Sequence, residues 1–430
     1  MLGGSRLWRH PDFLKLWSGQ TISVIGGEIT ALALPTLAIF RFHTSALVVG
    51  LLIGAQRIAF PILSLFAGVL VDRVRRRPLM ILADVVRGIA LASIPLAFAL
   101  NVLTLAQLFA VGLIMGIGNV LFDIAYLAYL PSLVGQADIV EGNNKLTTSF
   151  SIALLAGPGL GGVLVQLIGA AQAIGANAIS YVVSVLTLAW IRQPEPRPRE
   201  LSARPGVFAE IAEGIRLVVH HPLLRSLLAM MTVDSFAFQL ALPVFLIFFY
   251  RRLHLTPAQA GLIFASLGFG SIVGSVMAAR VVAMLGLGRA IALGIAGSAL
   301  ALAGVPLALF LPAVPWLIFV SFVDACAITV MDIQQVSLRQ GVTPSHLQGR
   351  MNATFRTLFW GVWPLANFLG GLTADWIGPV SVFLIAAGLR IIPITIVVVS
   401  PIGRLRSHPV SIDAADPGQA RERDQLGLEG

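Results

Sequence analysis

Several acidic and basic residues sit where the chain is otherwise apolar, and these are the groups able to do chemistry. Glu28 lies in Glu28-Ile-Thr30-Ala-Leu-Ala-Leu34-Pro35, with no basic residue within a helical turn. A carboxyl isolated in this way can take up and release a proton as its surroundings change. The plainer alternative is a protonated Glu28 bonded to a neighbouring helix; the proton-carrying reading is favoured. Asp234 and Asp324, in similar runs, are second candidates for the same role. Arg57, Arg356 and Arg390 either pair with these acids or hold an anionic group of a bound solute, and pairing is the favoured reading. Asp84 and Arg87, three residues apart, read as a structural pair that neutralises itself. Asp375 reads as a water-accessible residue near a span end. Phe355 and Phe359 are four apart, beside Arg356, and together suggest an apolar wall for a large amphipathic solute. Phe236, Phe238, Phe245, Trp360 and Trp363 add aromatic surface that more commonly fills helix interfaces.

Other chemistries are excluded. Cys326 is the only cysteine, so there is no intrachain disulfide and no cysteine-based metal site. No metal or cofactor is expected. No Gly-rich phosphate loop with a following Lys occurs, so this chain does not use ATP. Energy for any uphill work must come from a gradient.

The elements that position these residues follow from composition. Of 430 residues, 57% are hydrophobic and only 11% charged, against roughly 25% charged in soluble domains. A soluble enzyme cannot hide that excess. A bilayer can, at about 20 apolar residues per helix. Twelve spans are predicted, near 13–40, 46–71, 78–100, 103–130, 145–168, 171–191, 223–250, 258–283, 289–311, 314–338, 350–376 and 378–402. The fold class is therefore an all-α integral membrane protein. A membrane β-barrel is excluded by the long apolar runs.

The net charge of +9 does not point to nucleic acid, because the basic residues lie in short segments between apolar runs. With a cytoplasmic N-terminus, 22 Lys and Arg fall on the inside and 3 (Arg41, Arg251, Arg252) on the outside. The positive-inside rule then places both termini in the cytoplasm of a cell-membrane protein. No cleavable signal peptide is expected. Residues 1–191 form a first six-helix bundle and 223–402 a second. The linker 192–222 starts stiff and Pro-rich, then shows amphipathic spacing at Phe208, Ile211, Ile215 and Val218. Residues 403–430 are expected to be a disordered cytoplasmic tail.

The halves repeat one another. An offset of 209 aligns Asn143 with Asn352, Leu160-Gly161-Gly162 with Leu369-Gly370-Gly371, Gly169 with Gly378, and Asp123 with Asp332. An offset of 208 aligns Leu34-Pro35 with Leu242-Pro243. Six spans per half keep both halves in one orientation, related by a pseudo-twofold axis along the membrane normal, with a substrate path between them. By the proline register Glu28 and Asp234 differ by two residues, about 200° around a helix, so they are not symmetry mates.

Two motifs carry a resemblance. Gly68-Val-Leu-Val-Asp72-Arg73-Val-Arg75-Arg76-Arg77 closes span 2 and resembles the G-x-x-x-D-R-x-G-R-[RK] loop of the major facilitator superfamily, with Arg75 in place of the second Gly. Gly157-Pro158-Gly159-Leu160-Gly161-Gly162 in span 5 resembles the G-P-x-x-G-G motif of that superfamily's exporters; a merely small-residue packing face is its plainer reading. The run Phe122-Asp123-Ile-Ala-Tyr126-Leu-Ala-Tyr129-Leu-Pro131 and the Glu213-Gly214 segment resemble the branch of enterobactin exporters and macrolide efflux proteins. The resemblance implies the twelve-helix major facilitator fold. It also implies gate roles for Gly68, Asp72, Arg73, Arg76 and Asp123, and for the repeat-related Arg289 and Asp332, with Arg76 the expected partner of Asp123 and Arg289 that of Asp332 in the inside-closed state. Some exporters carry an acid followed by x-Thr before Ala-Leu-Pro in span 1; Glu28 is similar, two residues nearer the Pro. Span 4 lacks the Arg usual in drug–proton antiporters.

Together these readings predict proton-coupled efflux of a small amphipathic organic molecule (a drug, antibiotic or siderophore) by alternating access, by a monomer surrounded by lipid. The alternatives are a facilitator or symporter for a lysophospholipid or other metabolite, and a non-transporting receptor or scaffold on the same fold.

Overall fold

The structure is a computed structural model that describes residues 6–135, 138–195, 207–344 and 347–407; the side chains of 6, 65, 68, 69, 72 and 207–211 are not among those described. The 408–430 part of the expected tail and most of the Pro-rich linker thus lie outside the described residues, as do the side chains of Asp72, Phe208 and Ile211.

Every regular element described is helical. The first half comprises α1 (Pro11–Phe42), α2 (Ala46–Arg57), α3 (Ala59–Arg73), α4 (Arg76–Ala99), α5 (Leu105–Val134), α6 (Ile139–Ile168) and α7 (Ala170–Ala189). A short α8 (Val207–His220) precedes the second half. That half comprises α9 (Pro222–Ile247), α10 (Pro257–Leu285), α11 (Leu287–Gly304), α12 (Ala313–Gly341), α13 (Gln348–Gly361), α14 (Trp363–Ile377), α15 (Pro379–Leu389) and α16 (Ile391–Val399). Among the described residues, eleven stretches are long and apolar enough to cross a membrane. The twelfth expected span, 350–376, is present as α13 and α14. It is interrupted at Val362, so neither piece reaches spanning length.

Spans 2, 11 and 12 all break near mid-depth, at Ile58, Val362 and Arg390. Pro61 and Pro364, each on the far side of its break, each lack an N–H donor for the preceding turn. A break at this depth survives only where it is buried in protein or lines a cavity.

The repeat is visible in the backbone. His10-Pro11 and His221-Pro222 open the first helix of each half, and each His ring Nδ1 accepts the N–H three residues on, from Phe13 (3.0 Å) and Leu224 (3.4 Å). His43 and His254 follow the last turns of the same two spans, both with φ of 51°. Gly169 and Gly378 turn between spans 5 and 6 and between 11 and 12 with φ of 88° and 86°. The caps set an offset of 211 for spans 1 and 7, three residues different from the proline register.

The packing differs between the two ends of the bundle. At the end away from the termini, called the far face, one apolar cluster joins both halves: Leu32, Ile39 and Val49 pack with Leu240, Val244, Phe245 and Phe383. At the face bearing the termini the core is split. Leu7, Phe13, Phe122 and Leu188 form one cluster within the first half, and Leu224, Leu227, Met351 and Phe355 form another within the second. The apolar core is therefore shared by the halves at the far face and divided between them at the terminal face, where α3 and α13 still touch.

Candidate functional site

Small residues make the far-face junction close. A Cβ at Gly162 on α6 would fall 2.9 Å from the Cα of Gly261 on α10, and one at Gly261 would fall 2.8 Å from the Cα of Gly162. On the other side of the molecule, a Cβ on Gly371 of α14 would meet Leu47 Cα at 2.6 Å, and Gly50 of α2 approaches Asn367 as closely. The repeated Leu-Gly-Gly segments thus build the two sides of one seal. Polar ties add to it. The Asp375 carboxylate accepts the N–H groups of Ala46 (2.9 Å) and Leu47 (3.1 Å), capping α2. Arg251 donates to the Thr44 carbonyl at 2.7 Å, and the hydroxyls of Thr36 and Tyr250 meet at 3.1 Å. Asp375 therefore has a structural role, at the seal.

Beneath the seal lies a cavity of about 470 Å³, within the range of small-molecule sites. Glu28, Arg57, Asp234, Asp324, Asp332 and Arg390 all line it, with Phe238, Phe264, Phe359 and Trp363. The sequence-selected acids on both halves are thus brought to one chamber. Glu28 is seated by the α6 motif: a Cβ at Gly157 would overlap the Glu28 Cβ and come within 3.1 Å of its Cγ. Gly157 and Gly161 face α1 while Gly162 faces α10, so one motif both accommodates Glu28 and closes the seal.

Arg390, at the α15–α16 break and only 1% exposed, joins the acids of the second half. Its guanidinium lies 3.1 Å from Asp234 and 3.0 Å from Asp324, and Ser298 bonds both Arg390 and Asp324. The first half holds similar chemistry in Asp84, Arg87, Ser184 and Asn119, with Arg87 stacked on Phe122 (4.7 Å) and Tyr181 (4.5 Å). Asp84, Arg87 and Ser184 are buried in helix packing, and the cluster does not line the cavity. Arg57 packs over Trp363 at 5.0 Å from the ring centre.

Several expected site residues are placed elsewhere. Phe355 is buried among Val218, Met351 and Arg339, because α8 docks on α13 at that level; only Phe359 of the expected pair reaches the cavity. Arg356 lies between Phe60 (4.7 Å) and Trp360 (4.3 Å), outside the cavity wall, and interacts electrostatically with exposed Asp123. Arg76, the expected partner of Asp123, instead meets Glu195, which also accepts its backbone N–H at 2.6 Å. Asp332 is exposed to the cavity and bonded by Gln335, while Arg289 is exposed on the surface; the two form no ion pair. Asp123 instead faces the second half through Arg356, and neither expected gate pair is formed among the described residues. Asp72 lies in the last turn of α3, but its side chain and the surroundings of Gly68 are outside those described; Arg73, at the end of α3, does not line the cavity.

Sequence reading missed Gln239, Ser298 and Phe264. The cap register would have found the first: Glu28 is eighteen residues after His10, and Gln239 eighteen after His221. The repeat mate of Glu28 is an amide on the same cavity. Nothing in the sequence marks Ser298.

The family model for the Major Facilitator Superfamily matches residues 16–366. The chain belongs to the major facilitator superfamily. Two same-orientation halves are general to that superfamily. This major facilitator chain is 26% identical to the multidrug efflux pump Tap of Mycolicibacterium fortuitum over 389 residues, covering 87% of this chain and 92% of that protein. It is 25% identical to the enterobactin exporter EntS of Salmonella typhi over 436 residues, covering 97% and 99% respectively. In structure it resembles a bacterial homologue of the iron transporter ferroportin, with a TM-score of 0.69 at 15% identity, covering 90% of this chain and 98% of that one. The nucleoside transporter NupG gives 0.66 at 14% identity, with the same coverages. The chain is a multi-pass transporter of this superfamily, with efflux proteins among its relatives.

Proposed function

We propose that the protein is a proton-coupled exporter of small amphipathic organic molecules, in the cell membrane, with both termini cytoplasmic. The terminal face carries the Arg-rich segments, which the positive-inside rule assigns to the cytoplasm. The structure then corresponds to the inward-open state: sealed outside, separated inside, with the cavity ready to receive cytoplasmic cargo. The chain acts as two bundles, 1–191 and 223–402, rocking about a cavity contained in a single monomer.

The observation that carries this reading is the seating of Glu28 on the same α6 motif that closes the outer seal. Opening the seal must displace α6 from α10, and α1 travels with α6 in the same bundle, so Glu28 passes from a cavity closed to the far face to one open to it. Protonation at Glu28 and access to the outside are thereby linked through the side from which water reaches the carboxyl. Each proton entering down the membrane potential contributes about 2.3 kcal/mol per 100 mV. Asp234 and Asp324 share Arg390 and so serve as the second-ranked proton site.

The test is uptake into inverted membrane vesicles of a panel of anionic, neutral and cationic amphipathic dyes. At least one should accumulate while a proton gradient stands and leak away when a protonophore collapses it. Accumulation indifferent to the gradient, or none for any dye, overturns the proposal.

A further inference from the structure

Four carboxylates and two guanidinium groups face the cavity. When all are ionised, this leaves a surplus of two negative charges. Arg390 is held in ion pairs with Asp234 and Asp324. Asp332, by contrast, stands exposed on the wall with an amide, Gln335, as its hydrogen-bond partner; Arg339 and Arg390 act on it only at longer range. Arg339 is itself stacked on Phe355 at 5.1 Å. With the proton released from Glu28, as exchange for cargo requires, Glu28 offsets Arg57, and Asp332 remains the carboxyl on the wall with no guanidinium in ion-pair contact among the described residues.

A second observation points the same way. Gln239 is 5% exposed, and its side-chain oxygen accepts no hydrogen bond among the described residues although it lines the cavity. A buried acceptor left without a donor costs on the order of 1–3 kcal/mol, and a bound N–H group would relieve it. Phe238 and Gln239 are neighbours on the cavity-facing side of α9, and Phe264, Phe359 and Trp363 supply further ring surface. Aromatic faces attract cations and offer nothing comparable to anions.

We infer that the cargo is an organic cation bearing N–H groups on an apolar, aromatic-sized body, with its charge held at Asp332 and an N–H donated to Gln239. This rests on the export reading and adds the substrate class. An anionic cargo would have to displace Arg390 from two carboxylates at once, draw Arg57 away from Glu28 and Trp363, or approach a wall on which carboxylates outnumber guanidinium groups.

The experiment uses the full chain in lipid nanodiscs and ethidium, a fluorescent cation with two amino groups. Tetraphenylphosphonium and tetraphenylborate, matched in shape and opposite in charge, serve as competitors. Ethidium should bind, tetraphenylphosphonium should displace it, and tetraphenylborate should not. Asp332→Asn should weaken ethidium about tenfold or more, while Asp332→Glu should stay within about threefold of wild type. Gln239→Leu should weaken ethidium but leave tetraphenylphosphonium, which has no N–H, unchanged. If Asp332→Asn does not fold, the Glu and Leu variants carry the test. Displacement by tetraphenylborate as strong as by tetraphenylphosphonium overturns the inference. So does absence of ethidium binding, or unchanged ethidium affinity in Asp332→Asn. Proton-dependent uptake of an anionic dye alone in the vesicle panel would sink this inference while leaving the export reading intact.

Discussion

Substituting Gly162 by Ala should push the transporter towards its outward-open state. The new Cβ would lie 2.9 Å from Gly261 Cα and 3.1 Å from Gly261 N, with the Pro257 carbonyl oxygen nearer still. All three are backbone atoms, so no side chain can rotate away. Overpacking of this kind costs about 1–3 kcal/mol. The cost falls on the sealed state alone, since opening separates α6 from α10. At tenfold per about 1.4 kcal/mol, the outward-open population should rise roughly 5- to 150-fold. Spin labels at Val102 and Phe310, both exposed at the far face of opposite halves, report this as a longer distance in double electron–electron resonance. Cys326 is replaced by Ser in that background. Gly27→Ala is the control, because a Cβ there meets nothing within 4 Å. If Gly162→Ala and Gly27→Ala give the same distances as the parent, the α6–α10 contact is not the seal and the reasoning fails.

Other outcomes follow from the same contacts. Arg390→Leu strips two carboxylates of their cation and should cost about 3–5 kcal/mol, read as a large fall in melting temperature; added Asp234→Asn should recover part of it. Asp375→Asn weakens the cap on α2 and should destabilise the sealed state by about 0.5–2 kcal/mol, with the same spin labels moving apart. Neutralising Asp72 or Asp123 should impair transport and leave cargo binding measurable. Tags at either terminus or near residue 203 should be shielded from reagents outside intact cells.

The helices, their number and the repeat were legible because a bilayer demands long apolar runs and two similar halves keep their glycines where backbones touch. Leu160-Gly161-Gly162 and Leu369-Gly370-Gly371 are detectable as letters, and their shared task at the seal is a direct consequence of having no side chain. The partner of Arg390 was foreseeable in kind, since a buried guanidinium needs carboxylates. Which ones could not be read, because Asp234, Asp324 and Ser298 converge from three different helices. The proline register misled for span 7. His10-Pro11 and His221-Pro222 hold the true register of the helix starts, but two short dipeptides among 24 prolines carry little statistical weight. Phe355 was assigned to the cavity from its spacing with Phe359. Helical periodicity gives a face, not what covers it, and α8 arrives from a distant part of the sequence. The gate pairs fall in the same class, since a sequence contains both conformations and the structure shows one.

The central claim is that Glu28 exchanges a proton for cargo as the cavity changes side. The most direct measurement uses proteoliposomes containing a trapped pH dye, given an outward gradient of a dye transported in the vesicle panel and no initial pH gradient. Cargo leaving through the wild-type protein should drive protons the opposite way and acidify the interior. Glu28→Gln, fixed in a form that mimics the protonated side chain, should let cargo run downhill with no pH change. Cargo flow through the wild type without proton movement, or proton movement retained in Glu28→Gln, contradicts the account.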